Sequence, residues 1–199
     1  MEVLPVMVEQ QRAIDRRELI ISAALRVIVD RGVHATTHRA IAEQAGVPLG
    51  SLTYYFDGLT QLIEQAFVSL YELVSAGPRR ALTDASNLEE AIDAVTDIIC
   101  GGHRPSADQE RALLELYSYA NHNLAAAEVC TRWLATTREL LAAHFCEQVS
   151  EALDALIEGW SIHQHFRAEP ARRDAVRAVI AAITAAHHPD HGDCTGCRT

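Results

Sequence analysis

The chain contains no lysine, so all 17 of its basic residues are arginine. Long uncharged runs are also missing. The longest covers the thirteen residues 44–56, well short of the about 20 apolar residues that a bilayer-spanning helix needs. No membrane partner is expected. The opening Met1-Glu2 lacks the basic patch and apolar core of a secretion signal, so the reading is a cytoplasmic protein. Cysteine is sparse, and Cys100, Cys130, Cys146, Cys194 and Cys197 are an odd, scattered set that suits reduced thiols better than a disulfide framework. An excess of positive charge is absent too: the formal net charge is −10 and the pI about 5.4. Coating of nucleic acid by a broad basic footprint is thereby excluded, and any DNA contact has to be local and geometric.

What the sequence does have is an ordinary globular balance, 49% hydrophobic and 22% charged residues over 199 positions, enough for one domain or two small ones with a real core. The acidity is confined. Residues 1–56 hold six arginines and six acids, whereas 57–199 hold eleven arginines and twenty-one acids.

Helical periodicity runs through nearly the whole chain, with no convincing strand pattern and no internal repeat. Leu19, Ile20, Ala23, Ala24, Val27 and Ile28 form one stripe of a helix predicted from Arg16 to Arg31, stopped by Gly32. Thr37 is placed to cap a short helix over residues 38–45, which Gly46 ends. Val47-Pro48 opens another short helix, Leu49 to Phe56, with proline at a first turn where its missing N–H costs nothing. From Thr60 a further stripe runs until Gly77-Pro78, which is expected to break it. Asn87 caps a helix that ends at Gly101-Gly102, and helices are predicted over 107–119, 124 to about 149, about 150–167 and 171–186. The fold class is therefore all-α.

Two short helices around one glycine turn, preceded by a longer helix, form a helix-turn-helix pattern. Ile41, Val47 and Leu52 would bury a small core and fix the second short helix as a rod that a major groove admits. On periodicity alone an αα-hairpin inside a helical bundle fits equally well. Residues 36–56, Thr-Thr-His-Arg-Ala-Ile-Ala-Glu-Gln-Ala-Gly-Val-Pro-Leu-Gly-Ser-Leu-Thr-Tyr-Tyr-Phe, decide between them. The Ile-Ala-x-x-Ala-Gly-Val turn, the Gly-Ser-Leu start and the Tyr54-Tyr55-Phe56 close resemble the N-terminal signature of tetracycline-repressor (TetR) family regulators, over about residues 13–75. Two positions depart from that signature: Thr53 stands where the family usually has tyrosine, and Leu59 where it usually has a phosphate-facing lysine. The N–H groups at the helix start near Thr60 would then meet the phosphate alone.

The resemblance implies a helix-turn-helix DNA-binding domain over 13–59 and a helical effector-binding and dimerisation domain over 60–186, with a tail over 187–199. It implies that Thr37 and His38 reach phosphates and that Arg39 reaches a base edge or phosphate. Leu49, Gly50, Ser51 and Tyr54 would face the groove, with Thr53 and Tyr55 offering hydroxyls to phosphate. Arg12, Arg16 and Arg17 would add charge where the first helix opens. It also implies a homodimer through the last two helices, with Leu153, Leu156, Trp160, Val176, Val179 and Ile183 as the seam. Phe67, Tyr71, Tyr117, Tyr119, His122, Trp133, Phe145 and His163 are the aromatic and histidine candidates for lining an effector pocket. The expected function is a repressor of transcription, partnered by operator DNA and released from it by a small molecule, with no cofactor and no catalytic residue.

Other readings stay open. His187, His188, His191, Cys194 and Cys197 supply imidazole and thiolate ligands compatible with Zn²⁺, which would make a metal-responsive regulator. An enzyme could use His163 or His165 as base beside Asp154 and Glu158, although no phosphate loop, nucleophile elbow or His-Glu-x-x-His motif appears. An acidic helical adaptor would leave the 36–56 signature unused.

Overall fold

The computed structural model describes residues 3–167 and 170–187, with side chains at residue 12 and from residue 14 onward. Nine α-helices and one 3₁₀ turn make up the described chain, which contains no strand. They are α1 (Val3–Arg31), the 3₁₀ turn (Val33–Ala35), α2 (His38–Ala45), α3 (Leu49–Tyr55), α4 (Leu59–Asp84), α5 (Leu88–Cys100), α6 (Ala107–Ala120), α7 (Leu124–Ala142), α8 (Glu147–Phe166) and α9 (Arg173–Ala186).

Two compact units emerge. The first groups residues 1–72 with 111–129, the second 73–110 with 130–199. The dividing points fall inside α4, α6 and α7, not at residue 59.

In the first unit, Ile20, Ala24, Val27 and Ile28 of α1 are buried with Ile41 and Leu52, and the stripe Leu62, Ala66, Phe67 and Leu70 of α4 is buried with them. Val47, expected in that small core, is half-buried. α1 begins about thirteen residues before the predicted start, and no acid caps its first turn.

In the second unit, Leu82, Ile92, Val95, Ile99, Leu141, Phe145, Val149, Leu153, Val176 and Ile180 form one apolar cluster. Two of its features overturn the sequence expectation. α4 does not stop at Gly77-Pro78 but carries Pro78 inside it to Asp84. The helix gives up one backbone bond there, and burial of Leu82 one turn further on offsets that loss. Conversely, the predicted helix over 124–149 breaks between Ala142 and Glu147, with neither glycine nor proline to mark the place. Tertiary partners hold the break: Phe145 and Cys146 are buried, and His144 Nε2 donates to the Leu82 carbonyl at 2.7 Å.

Candidate nucleic-acid interface

The reading head is built from short-range bonds. Thr37 Oγ1 accepts from the Ala40 N–H at 3.2 Å and caps α2. Gly46 takes a left-handed φ of 64°, and the Val47 N–H returns to the Ala42 carbonyl at 3.0 Å. The left-handed φ alone favours glycine here, since a Cβ at this position would meet no neighbouring atom. Pro48 follows at φ −58° and α3 starts at once. Leu52 and Phe56 are buried beneath α3. Leu49, Gly50, Thr53 and Tyr54, spaced i, i+1, i+4 and i+5, are exposed together, with Leu49 at 53% and Tyr54 at 80%.

Other expected DNA contacts have more varied settings. Thr37 and Arg39 are exposed, and the Thr37 hydroxyl proton remains free of its capping role. Ser51 and Tyr55 are half-buried, and the Tyr55 ring meets the Tyr54 ring edge-on at 4.8 Å. His38 is half-buried, and its Nε2 is sealed from solvent without a hydrogen-bond partner, leaving only Nδ1 for a phosphate. Arg17 does not open a helix: it lies well inside α1, its guanidinium 5.2 Å over the Phe56 ring and its Nη2 donating to Gln65 Oε1 at 3.0 Å. It props the end of α3. At the start of α4, the Asp57 N–H donates to Gln61 Oε1 at 2.8 Å and the Gln61 amide donates back to Asp57 Oδ2 at 3.3 Å. A carboxylate thus stands beside the helix end that was expected to receive phosphate, and it already complements the helix dipole.

Sequence reasoning missed Glu115 of α6. Its Oε2 accepts from the Val33 N–H at 2.8 Å, in the turn that leads into α2, and the carboxylate packs on Gly32, whose φ is 77°. The separation of 82 residues left no local signal.

The effector candidates are divided between the units. In the first, the Phe67 and Tyr119 rings lie 6.1 Å apart, Asn123 Nδ2 donates to Tyr119 Oη at 3.2 Å, Tyr71 and Tyr117 are half-buried, and His122 is exposed. In the second, Phe145 is core, Trp133 is buried and His163 is exposed. Trp133 Nε1 donates to Glu158 Oε1 at 3.0 Å. One turn before Glu158, Asp154 has an Oδ1 with no partner, while its Oδ2 lies 4.0 Å from Arg138. Burial, with Glu158 adding to it and Arg138 opposing, pushes the Asp154 carboxyl up to about 6. Burial and then Glu158 likewise push the Cys130 thiol up.

The expected dimer seam needs correction at two positions. Leu153 and Val176 are sealed within the apolar core of their own unit and have no surface to offer a partner. Leu156, Trp160 and Ile183 are partly covered against that same core, and Val179 is 40% exposed. Ile162 and Phe166, one helical turn apart on α8, are exposed apolar residues that the sequence reading passed over. Among the histidines offered as bases, His165 lies 3.7 Å from Glu110, a buried carboxylate that also accepts two bonds from Arg104. Of the tail ligands, His187 is described and exposed, while His188, His191, Cys194 and Cys197 lie outside the described residues; no metal-holding group occurs among those described.

A helix-turn-helix with one exposed face on its second short helix defines a class, the DNA-reading regulators. Residues 20–66 match the model for bacterial regulatory proteins of the tetR family. A transcriptional regulator from Streptomyces coelicolor A3(2) is 37% identical, with a TM-score of 0.77 over 85% of this chain and 98% of that one. The multidrug binding protein EbrR in complex with ethidium is 30% identical, with a TM-score of 0.64 over 84% and 97%. The transcriptional regulator BetI of Rhizobium meliloti is 27% identical over 89% of this chain and 92% of its own. The chain belongs to the TetR family. It is a DNA-binding transcriptional regulator and not an enzyme.

Proposed function

We propose that the protein is a homodimeric repressor that leaves its operator when a small molecule binds. The observation that carries this reading is the α3 face, where Leu49, Gly50, Thr53 and Tyr54 are exposed together while Leu52 and Phe56 anchor the helix from beneath. A seven-residue helix so anchored is a rigid insert for a major groove about 12 Å wide. One such insert covers few base pairs, so specific binding calls for two copies on half-sites a helical turn apart. In this reading residues 13–59 read DNA, and residues 60–186 hold the effector and form the dimer. The exposed Ile162, Phe166 and Val179, flanked by Leu156, Trp160 and Ile183, are the surface α8 and α9 offer a second subunit.

Effector release is supported by the likeness to EbrR, which has been solved with ethidium, proflavin, malachite green and imidazole. Its energetic requirement is a ligand that binds the DNA-incompetent arrangement more tightly, with a coupling of about 1–3 kcal/mol. No described helix is long and apolar enough to cross a membrane, and a cytoplasmic location follows from action on a promoter.

The test is a gel mobility-shift titration of the promoter region beside the gene at fixed, low salt, paired with light scattering for the oligomeric state. Retarded DNA and a dimeric mass are the expected results. Tyr54→Ala and Arg39→Ala should each weaken binding by about 1–3 kcal/mol with mass and helicity unchanged; no retardation at low salt would overturn the operator reading.

A further inference from the structure

The exposed face of α3 carries a specific chemical bias. Leu49–Tyr55 contains no arginine, lysine, asparagine, glutamine, aspartate or glutamate. In the major groove, guanine is read best by arginine or lysine, adenine by asparagine or glutamine, and cytosine by an acidic acceptor. None of those readers is on this helix. The hydroxyl of Thr53 would be a polar substitute, but its Oγ1 donates to the Gly50 carbonyl at 3.1 Å, so its proton is used within the helix and it can offer a base only its acceptor lone pairs and its methyl branch. Gly50 adds no side chain and lets the backbone come close. Leu49, at 53% exposure, then stands in water with only carbon to offer. The neighbouring Tyr54 ring is steadied edge-on by Tyr55 at 4.8 Å and presents mostly aromatic surface.

Only one base presents a methyl group on the floor of the major groove, thymine at C5. We infer that α3 recognises its operator chiefly by apolar contact of Leu49, the Thr53 methyl and the Tyr54 ring with thymine methyl groups, so that each half-site is specified by thymines where this face lands. Charged contacts from outside α3, such as the exposed Arg39, set register and affinity but do not supply this discrimination.

This inference rests on the operator reading, and one experiment separates the two. The footprinted operator is synthesised with deoxyuridine replacing thymidine at one position at a time, which removes a methyl and leaves base pairing intact. Full-length protein is titrated against each duplex at one salt concentration. Loss of a contacted methyl should weaken binding about fourfold, compounding when both half-sites are substituted. At the position beneath Leu49, the same replacement should cost nothing further in Leu49→Ala, whose exposed site leaves the buried Leu52 and Phe56 untouched; circular dichroism checks that helicity is retained. Equal affinity for every deoxyuridine duplex and the parent would overturn methyl recognition while leaving operator binding intact. Undiminished methyl losses in both Leu49→Ala and Tyr54→Ala would also overturn it, by moving the readout to another element. Failure to bind the unmodified duplex would sink both readings together.

Discussion

The reading head and the α5–α8–α9 assembly are held by bonds of very different reach. Around α2 and α3 the fixing contacts close within a few residues: Thr37 to Ala40, Val47 to Ala42, Phe56 to Leu52. In the second unit they join positions far apart in sequence. Gln164 donates to the Ile99 carbonyl, Arg173 pairs with Asp97, and Arg177 pairs with Asp93 and Glu89, across 65 to 88 residues. Three α5 acids, Glu89, Asp93 and Asp97, are engaged in this way by the α9 arginines Arg173 and Arg177. The contrast teaches that the DNA-facing motif is a local design whose parts can be recognised one by one, whereas the distal helices are defined by one another. Glu115, whose bond reaches the head at Val33, and Arg17, which lies over Phe56 and bonds Gln65, are long-range exceptions.

The contrast can be tested from its strongest contact to its weakest. Leu153→Ala removes a fully buried side chain from the distal core and should cost about 2–5 kcal/mol in urea denaturation; a loss well under 1 kcal/mol would mean that this core does not depend on mutual packing. Glu115→Ala strands the Val33 N–H and should cost about 1–3 kcal/mol, with operator affinity falling alongside. Glu115→Gln should recover most of it, since an amide oxygen also accepts. Failure of glutamine to rescue would show that charge, not the hydrogen bond, holds the turn.

Asp154 supplies a pH test. Its folded-state carboxyl, at about 6 against the ordinary 3.8, binds its proton more tightly than in the unfolded chain. Stability therefore declines as pH rises from about 4 through 6, and acidifying from 7.5 to 5.5 should restore part of it. Asp154→Asn should flatten that dependence and raise the denaturation midpoint at pH 7.5, with the Glu158 and Arg138 neighbours retained; an unchanged profile would remove Asp154 as its source. The smallest effect belongs to Arg177→Met. Its partners Glu89 and Asp93 are solvated, so the thermal midpoint should move only slightly at low salt and not at all at high salt.

Legibility followed the reach of the bonds. Thr37, Gly46, Pro48 and Asn87 marked their helix ends because each acts on its own backbone: Asn87 Oδ1 accepts from the Glu90 N–H three residues on. The groove-facing residues of α3 came from the family resemblance and not from spacing: Leu49, Gly50 and Tyr54 are exposed as it implied, whereas Ser51 is half-buried and Thr53 joins the exposed face. Arg17 was misread, since its true neighbours Phe56 and Gln65 lie 39 and 48 residues away. Leu153 and Val176 were misread because an apolar stripe does not say whether its own unit or a second copy covers it.

By itself, the chain's order of residues determined the helical class, most capped helix ends and the glycine-turned pair that reads DNA, since those depend on backbone preference and on hydrogen bonds closing within one turn. Only the tertiary structure decided that α4 runs through Pro78, that the chain breaks before Glu147, and that Glu115 braces the head. Each of these trades a local preference against burial or a bond supplied by a distant segment, and the balance exists only once that segment is in place.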